Sequence, residues 1–172
     1  MKIKFEVEIM SMSKVLRVLF LIIFIPLIGI AQNKSSEIVV DQRQAIEKAI
    51  IHVHDRMQLA AQQGQVDSLY QYVLDVAKGV IIEDGKLRLT RQEALETTRQ
   101  AMQGLKDVSY SYAQKYITVI LPTVALWVGQ GTSSATLKDG HQISAPFAET
   151  IVFVLKNGQW KVLHAHRSTP NR

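Results

Sequence analysis

The sequence of 172 residues contains no cysteine. That absence excludes disulfide scaffolds, Cys-ligated zinc, iron–sulfur clusters and thiol nucleophiles together. Proline is scarce, at four residues, and aromatic side chains make up only 7% of the chain. No G-x-S-x-G, Walker loop, G-x-G-x-x-G or H-E-x-x-H occurs, so redox chemistry and phosphoryl transfer have no footing and no cofactor is expected. Positive charge is in modest excess, with 20 Lys+Arg against 15 Asp+Glu. Residues 1–31 hold four of those bases and two of those acids, leaving 16 against 13 elsewhere, too weak and scattered for a nucleic-acid surface. The length suits one domain with its own core.

No apolar run is long enough to span a membrane, which takes about 20 residues. The run that exists, Val18–Ala31, follows Lys14 and Arg17 and ends in Gly29 and Ala31. A basic flank, a short apolar stretch and small exit residues describe a secretory signal peptide cleaved after Ala31. The expected organisation is a signal peptide over 1–31, a tether over 32–40 and one domain over 41–170, in a secreted or periplasmic protein that meets the membrane only through its leader. The competing reading is an uncleaved N-terminal anchor.

In the domain, Asp41-Gln-Arg-Gln44 has capping-box form. Ile46, Ile50, Val53, Met57 and Ala60 then recur at helical spacing up to Gly64. Asp67 is placed to cap a short second helix, Gly79–Glu83 is a short strand, and Thr90-Arg-Gln-Glu93 opens a third helix that stops at Gly104. Beyond Asp107 the composition turns to β-branched and aromatic residues: Val108–Tyr116 and Ile117–Leu121 as one long bent strand, then Val124–Thr132, Phe147–Leu155 and Trp160–Arg167. Helices followed by antiparallel strands predict an α+β domain with the helices on one sheet face. Alternation along the last two strands puts Phe147, Ile151, Phe153 and Leu163 on one face and Val152, Val154, Trp160 and Val162 on the other. Two apolar faces predict a homodimer across the outer one, the side of His164, His166 and Trp160.

Phe147-Ala-Glu-Thr150, Lys156-Asn-Gly-Gln-Trp160 and Leu163-His-Ala-His-Arg-Ser-Thr-Pro170 resemble the closing hairpin of SnoaL-like domains in the nuclear transport factor 2-like superfamily. The motifs are most similar to the association (hub) domain of calcium/calmodulin-dependent protein kinase II. The resemblance implies a curved antiparallel sheet wrapped around N-terminal helices, a cone with one internal pocket and dimerisation through the outer sheet face. Functions among such domains run from cyclisation, isomerisation and dehydration to scaffolding. The hub's additional pocket arginines are missing: Ile151 follows Glu149-Thr150, and the middle strand reads Val124-Ala-Leu-Trp-Val128.

Glu149 and Arg167 are the candidate site pair. A three-residue loop at Lys156-Asn-Gly158 puts Glu149 opposite Ala165 with Arg167 diagonal to it; a two-residue loop puts Glu149 beside His166. Tyr110, Tyr112 and Trp127 suit a cavity for an apolar ligand carrying one oxygen. His164-x-His166 shares a strand face, but no further donors accompany it, so no metal is expected. His52 and His54, two residues apart on a helix, point about 200° apart and cannot share a ligand; Asp55 on the same helix is expected to face solvent, with the cone mouth as the alternative. The expected function is non-catalytic binding of a small, mainly apolar, oxygen-bearing ligand, by Arg167, Tyr110, Tyr112 and Trp127. The alternative is a cofactor-free lyase, isomerase or cyclase with Glu149 as general base.

Overall fold

Helix α1 spans Val40–Gln62 in the computed structural model, which describes residues 38–76 and 79–170. The signal segment 1–31 and most of the 32–40 tether lie outside the described residues. Ile46, Ile50 and His54, four residues apart, form its buried stripe with Ala60 and Ala61. The capping box at Asp41 does not form. Val39 occupies the N-cap without a side-chain bond, and Asp41 sits in the first turn, where its charge suits the helix dipole.

Helix α2 is Val66–Tyr70. Asp67 lies inside it rather than capping it, and bonds Arg99 at 2.8 Å. Helix α3, Arg91–Gln103, starts as expected: Thr90 Oγ1 accepts from the Glu93 amide at 3.1 Å. Glu93 answers by accepting from the Leu89 amide at 2.9 Å.

Among the described residues, six strands follow the order β2-β1-β6-β5-β4-β3 in one curved, unclosed sheet. β1 (Ile81–Glu83) and β2 (Lys86–Arg88) form a small hairpin, and β1 lies parallel to β6 (Gln159–Ser168). β3 (Leu105–Leu121), β4 (Val124–Leu137) and β5 (Gln142–Lys156) complete an antiparallel meander with β6. The long bent strand is present as β3, with register shifts beside Tyr112 and near both ends.

The core lies between α1 and the inner sheet face, where Ile50, Trp127, Phe153 and Val162 are at most 1% exposed. Burial of a side chain such as Phe153 contributes about 2–3 kcal/mol. Trp160 belongs to this core, which corrects its placement on the outer face. The cause is a bulge in β6. Phe153 pairs with Val162 but Val152 pairs with His164, so Leu163 is an extra residue. A bulge resets the alternation. Trp160 and Val162 turn inward before it, Ala165 packs against the core after it, and Leu163 is 36% exposed.

Candidate functional site

The β5–β6 loop is Asn157-Gly158, and both residues have positive φ, 51° and 75°. That is the primed two-residue turn that an Asn-Gly pair favours. Together with the bulge at Leu163 it gives a register that neither expected loop produces: Glu149 pairs directly with Arg167. Arg167 Nη2 donates to Glu149 Oε2 at 2.7 Å, and Nε donates to the same oxygen at 3.3 Å.

The other carboxylate oxygen is equally engaged. Tyr112 donates its hydroxyl to Glu149 Oε1 at 2.5 Å. His54 Nε2 lies 3.2 Å from that oxygen and 3.1 Å from the Tyr112 hydroxyl. With the tyrosine proton committed to Glu149, the network assigns a hydrogen to Nε2, shared between the two oxygens. Among the described residues the buried Nδ1 has no hydrogen-bond partner.

Burial alone would raise the Glu149 pKa. The hydrogen bond from His54, the charge of Arg167 and the bond from Tyr112 outweigh it and hold the group at about 2. For the Tyr112 phenol, burial and then the Glu149 charge push the pKa above its usual value. Burial works against the Arg167 charge, but adjacent Glu149 leaves its pKa above the usual one. Glu149 is therefore a fixed anion and Tyr112 a fixed donor.

Two glycines make the approach of β3 possible. Gly129 pairs with Glu149, and a Cβ there would lie 3.0 Å from the Tyr112 ring. At Gly131, opposite Tyr112, a Cβ would lie 2.0 Å from the Ser111 carbonyl oxygen.

A cavity of about 250 Å³ opens beside this network. Its walls are mostly apolar, with Met57, Leu69, Met102, Ile151 and Val162 among them, and its polar end carries His54, Tyr110, Tyr112, Glu149 and Arg167. At about 30 Å³ per water-sized group, it has room for a ligand of about eight non-hydrogen atoms. The Arg167 guanidinium lies 4.9 Å from the Tyr110 ring centre and 5.1 Å from that of Phe147. Among the described residues neither Arg167 Nη1 nor the Tyr110 hydroxyl has a hydrogen-bond partner.

Of the residues expected to meet a ligand, Glu149, Arg167, Tyr110 and Tyr112 converge on the cavity, while Trp127 does not line it. Trp127 is 1% exposed and stacks behind His54 at 3.8 Å between ring centres. Asp55 is exposed. His54 is the participant the sequence reading passes over. Its signal was present, since it continues the Ile46–Ile50 stripe at the next four-residue step. Beyond the bulge, His164 bonds the Gly79 carbonyl oxygen at 2.7 Å, and His166 is exposed.

Residues 50–172 match the family model for the SnoaL-like domain. The chain belongs to the SnoaL-like family. Solved structures place it in the same fold. A candidate calcium/calmodulin-dependent protein kinase II association domain from Xanthomonas campestris is 15% identical, with a TM-score of 0.63 over 72% of this chain and 86% of that one. A candidate dehydratase of the nuclear transport factor 2-like family from Streptomyces avermitilis is 15% identical, with a TM-score of 0.67 over 76% and 99%. A candidate scytalone dehydratase from Novosphingobium aromaticivorans DSM 12444 is 13% identical, with a TM-score of 0.70 over 77% and 89%. No curated protein sequence matches the chain. At these identities the likeness is one of fold, and a SnoaL-like cone is compatible with ligand binding and with dehydratase or isomerase chemistry.

Proposed function

We propose that this SnoaL-like protein is exported and binds a small, mainly apolar, oxygen-bearing molecule in its cavity without transforming it. The observation that carries this reading is the saturation of Glu149. A general base needs a lone pair within reach of the ligand and a pKa near the working pH. Glu149 instead accepts from three side chains and sits near 2. The ligand oxygen is taken by Arg167 Nη1 and the Tyr110 hydroxyl, and its apolar body lies against Met57, Leu69 and Met102.

The protein acts as a homodimer through the outer sheet face. Tyr116 pairs with Val128 there, and they are 63% and 39% exposed. His164 and His166 border the same surface. Val18–Ala31 serves as the export signal, removed after Ala31.

Native mass spectrometry of protein recovered from outside the cytoplasm tests all three parts. A dimer of chains starting at Gln32, carrying a small adduct that Arg167→Ala abolishes, is the expected result. A chain retaining residues 1–31 would replace export by anchoring. Chemical conversion of the adduct, lost in Glu149→Gln, would establish the cofactor-free lyase or isomerase reading instead.

A further inference from the structure

Glu149 accepts from Nε and Nη2 of Arg167, a residue that lines the cavity, while Nη1 has no hydrogen-bond partner among the described residues. We infer that Glu149 is a charge filter: with the Arg167 charge already neutralised, the site takes a neutral carbonyl or hydroxyl oxygen and rejects a carboxylate. This rests on the ligand-binding reading and narrows its ligand class.

Arg167 Nη2 lies 2.7 Å from Glu149 Oε2, so a second anion at Nη1 meets one positive and one negative charge at short range. Entering an apolar cavity costs an anion its hydration, and with no net countercharge there nothing offsets that cost. A neutral oxygen needs only a donor, and Arg167 Nη1 and the Tyr110 hydroxyl are both free to donate. Of the other groups around the carboxylate, His54 from α1 and Tyr110 and Tyr112 from β3 carry no positive charge in their neutral forms; the Lys115 ammonium of β3 lies 5.9 Å from the Tyr112 ring centre and 6.0 Å from that of Trp127, and Lys115 does not line the cavity. At the cavity edge stand Glu83 of β1, which adds negative charge, and the exposed His166 of β6. The Tyr110 and Phe147 rings pack against the guanidinium and restrict its movement away from Glu149.

Isothermal titration of the purified chain with benzamide, benzoate and benzenesulfonate tests the filter. The first two have the same number of non-hydrogen atoms and differ in charge; the third stays ionised at every pH used. At pH 7.5 benzamide is expected to bind at least tenfold more tightly than benzoate. From pH 5.5 to 7.5 benzoate affinity should fall about tenfold per pH unit, tracking its neutral acid, while benzamide affinity stays level. Benzenesulfonate should stay weak throughout, and a gain at low pH would assign the anion response to His54 or His166 and overturn the filter. Benzoate binding as tightly as benzamide at pH 7.5 would also overturn it and leave the ligand site standing. Binding of none of the three would remove the site reading and the filter with it. In Glu149→Gln the preference should invert toward benzoate by tenfold or more; retained preference for benzamide in a folded variant would overturn the assignment to Glu149. Should that variant not fold, the unmodified chain still decides through its pH series.

Discussion

Glu149 and Arg167 face each other across the β5–β6 ladder because Leu163 is one residue too many. Without that bulge Glu149 would stand opposite His166, and Arg167 would leave the cavity face. The ion pair is thus a product of strand register. Its carboxylate is 4% exposed and its guanidinium 30%.

Removing the carboxylate leaves a mostly buried cation without its partner. Glu149→Gln is expected to lower stability by about 3 kcal/mol, the lower end for a broken buried pair because Arg167 retains some solvent. Urea denaturation at pH 7 measures it. A loss below about 1 kcal/mol would mean that solvent already screens the pair.

The same pair sets an acid limit. Glu149 has a folded pKa of about 2 against an ordinary 4.5, so the unfolded chain binds the proton first as pH falls. Its stabilisation is complete above about pH 5 and disappears as pH drops toward 2, a change of about 3 kcal/mol. Urea midpoints from pH 6 to 2 should fall steeply for the unmodified chain and more gently for Glu149→Gln. Parallel curves would assign acid lability to other carboxylates.

The helix order, the long β3 and the Asn-Gly turn were legible because each has a local cause: a capping threonine, β-branched runs, a residue pair that tolerates positive φ. The partner of Glu149 was not. Register beyond a turn depends on every later residue, and nothing in Val162-Leu-His-Ala marks the bulge, which is stabilised by packing of Trp160 and Val162 against the core. That one extra residue is also why strict alternation puts Trp160 on the outer face while the bulge turns it inward. His54 was missed for a different reason. The spacing of His52 and His54 bears only on a shared ligand, whereas the position of His54 on the apolar stripe of α1 assigns it to the interior.

His54 is therefore testable as a structural member of the network. His54→Leu keeps most of the volume against Trp127 but removes the bond to Glu149 Oε1. The expected cost is about 1–3 kcal/mol, since a buried carboxylate oxygen loses a donor. Thermal unfolding reads the loss, and an unchanged or raised Tm would show that the unpartnered Nδ1 outweighs the bond at Nε2.

Gly131 tests the route by which Tyr112 reaches Glu149. An alanine Cβ would lie 2.0 Å from the Ser111 carbonyl oxygen and 2.9 Å from the Tyr112 Cα, both backbone contacts that no side-chain rotation relieves. Gly131→Ala should cost about 3 kcal/mol, the upper range for overpacking. Amide exchange should show weakened protection along Ser111–Gln114. Native stability in this variant would mean that β3 can slide without losing the site.

The outer face gives the last test. Tyr116 and Val128 are neighbours across β3 and β4, with Leu126, Val152 and Val154 half-buried around them on the side away from the cavity. An apolar sheet face of that kind is normally covered, and a two-fold copy of itself is the simplest cover. Tyr116→Asp combined with Val128→Lys places charge at the centre of that surface without touching the core. Sedimentation is expected to report dimers for the unmodified chain and monomers for the double variant, and the cavity should still bind benzamide, because its polar end is built from α1, β3, β5 and β6 of one chain. Dimers that persist in the double variant would move the interface elsewhere, with the outer edge of β3, the last strand in the sheet order, as the next surface to test.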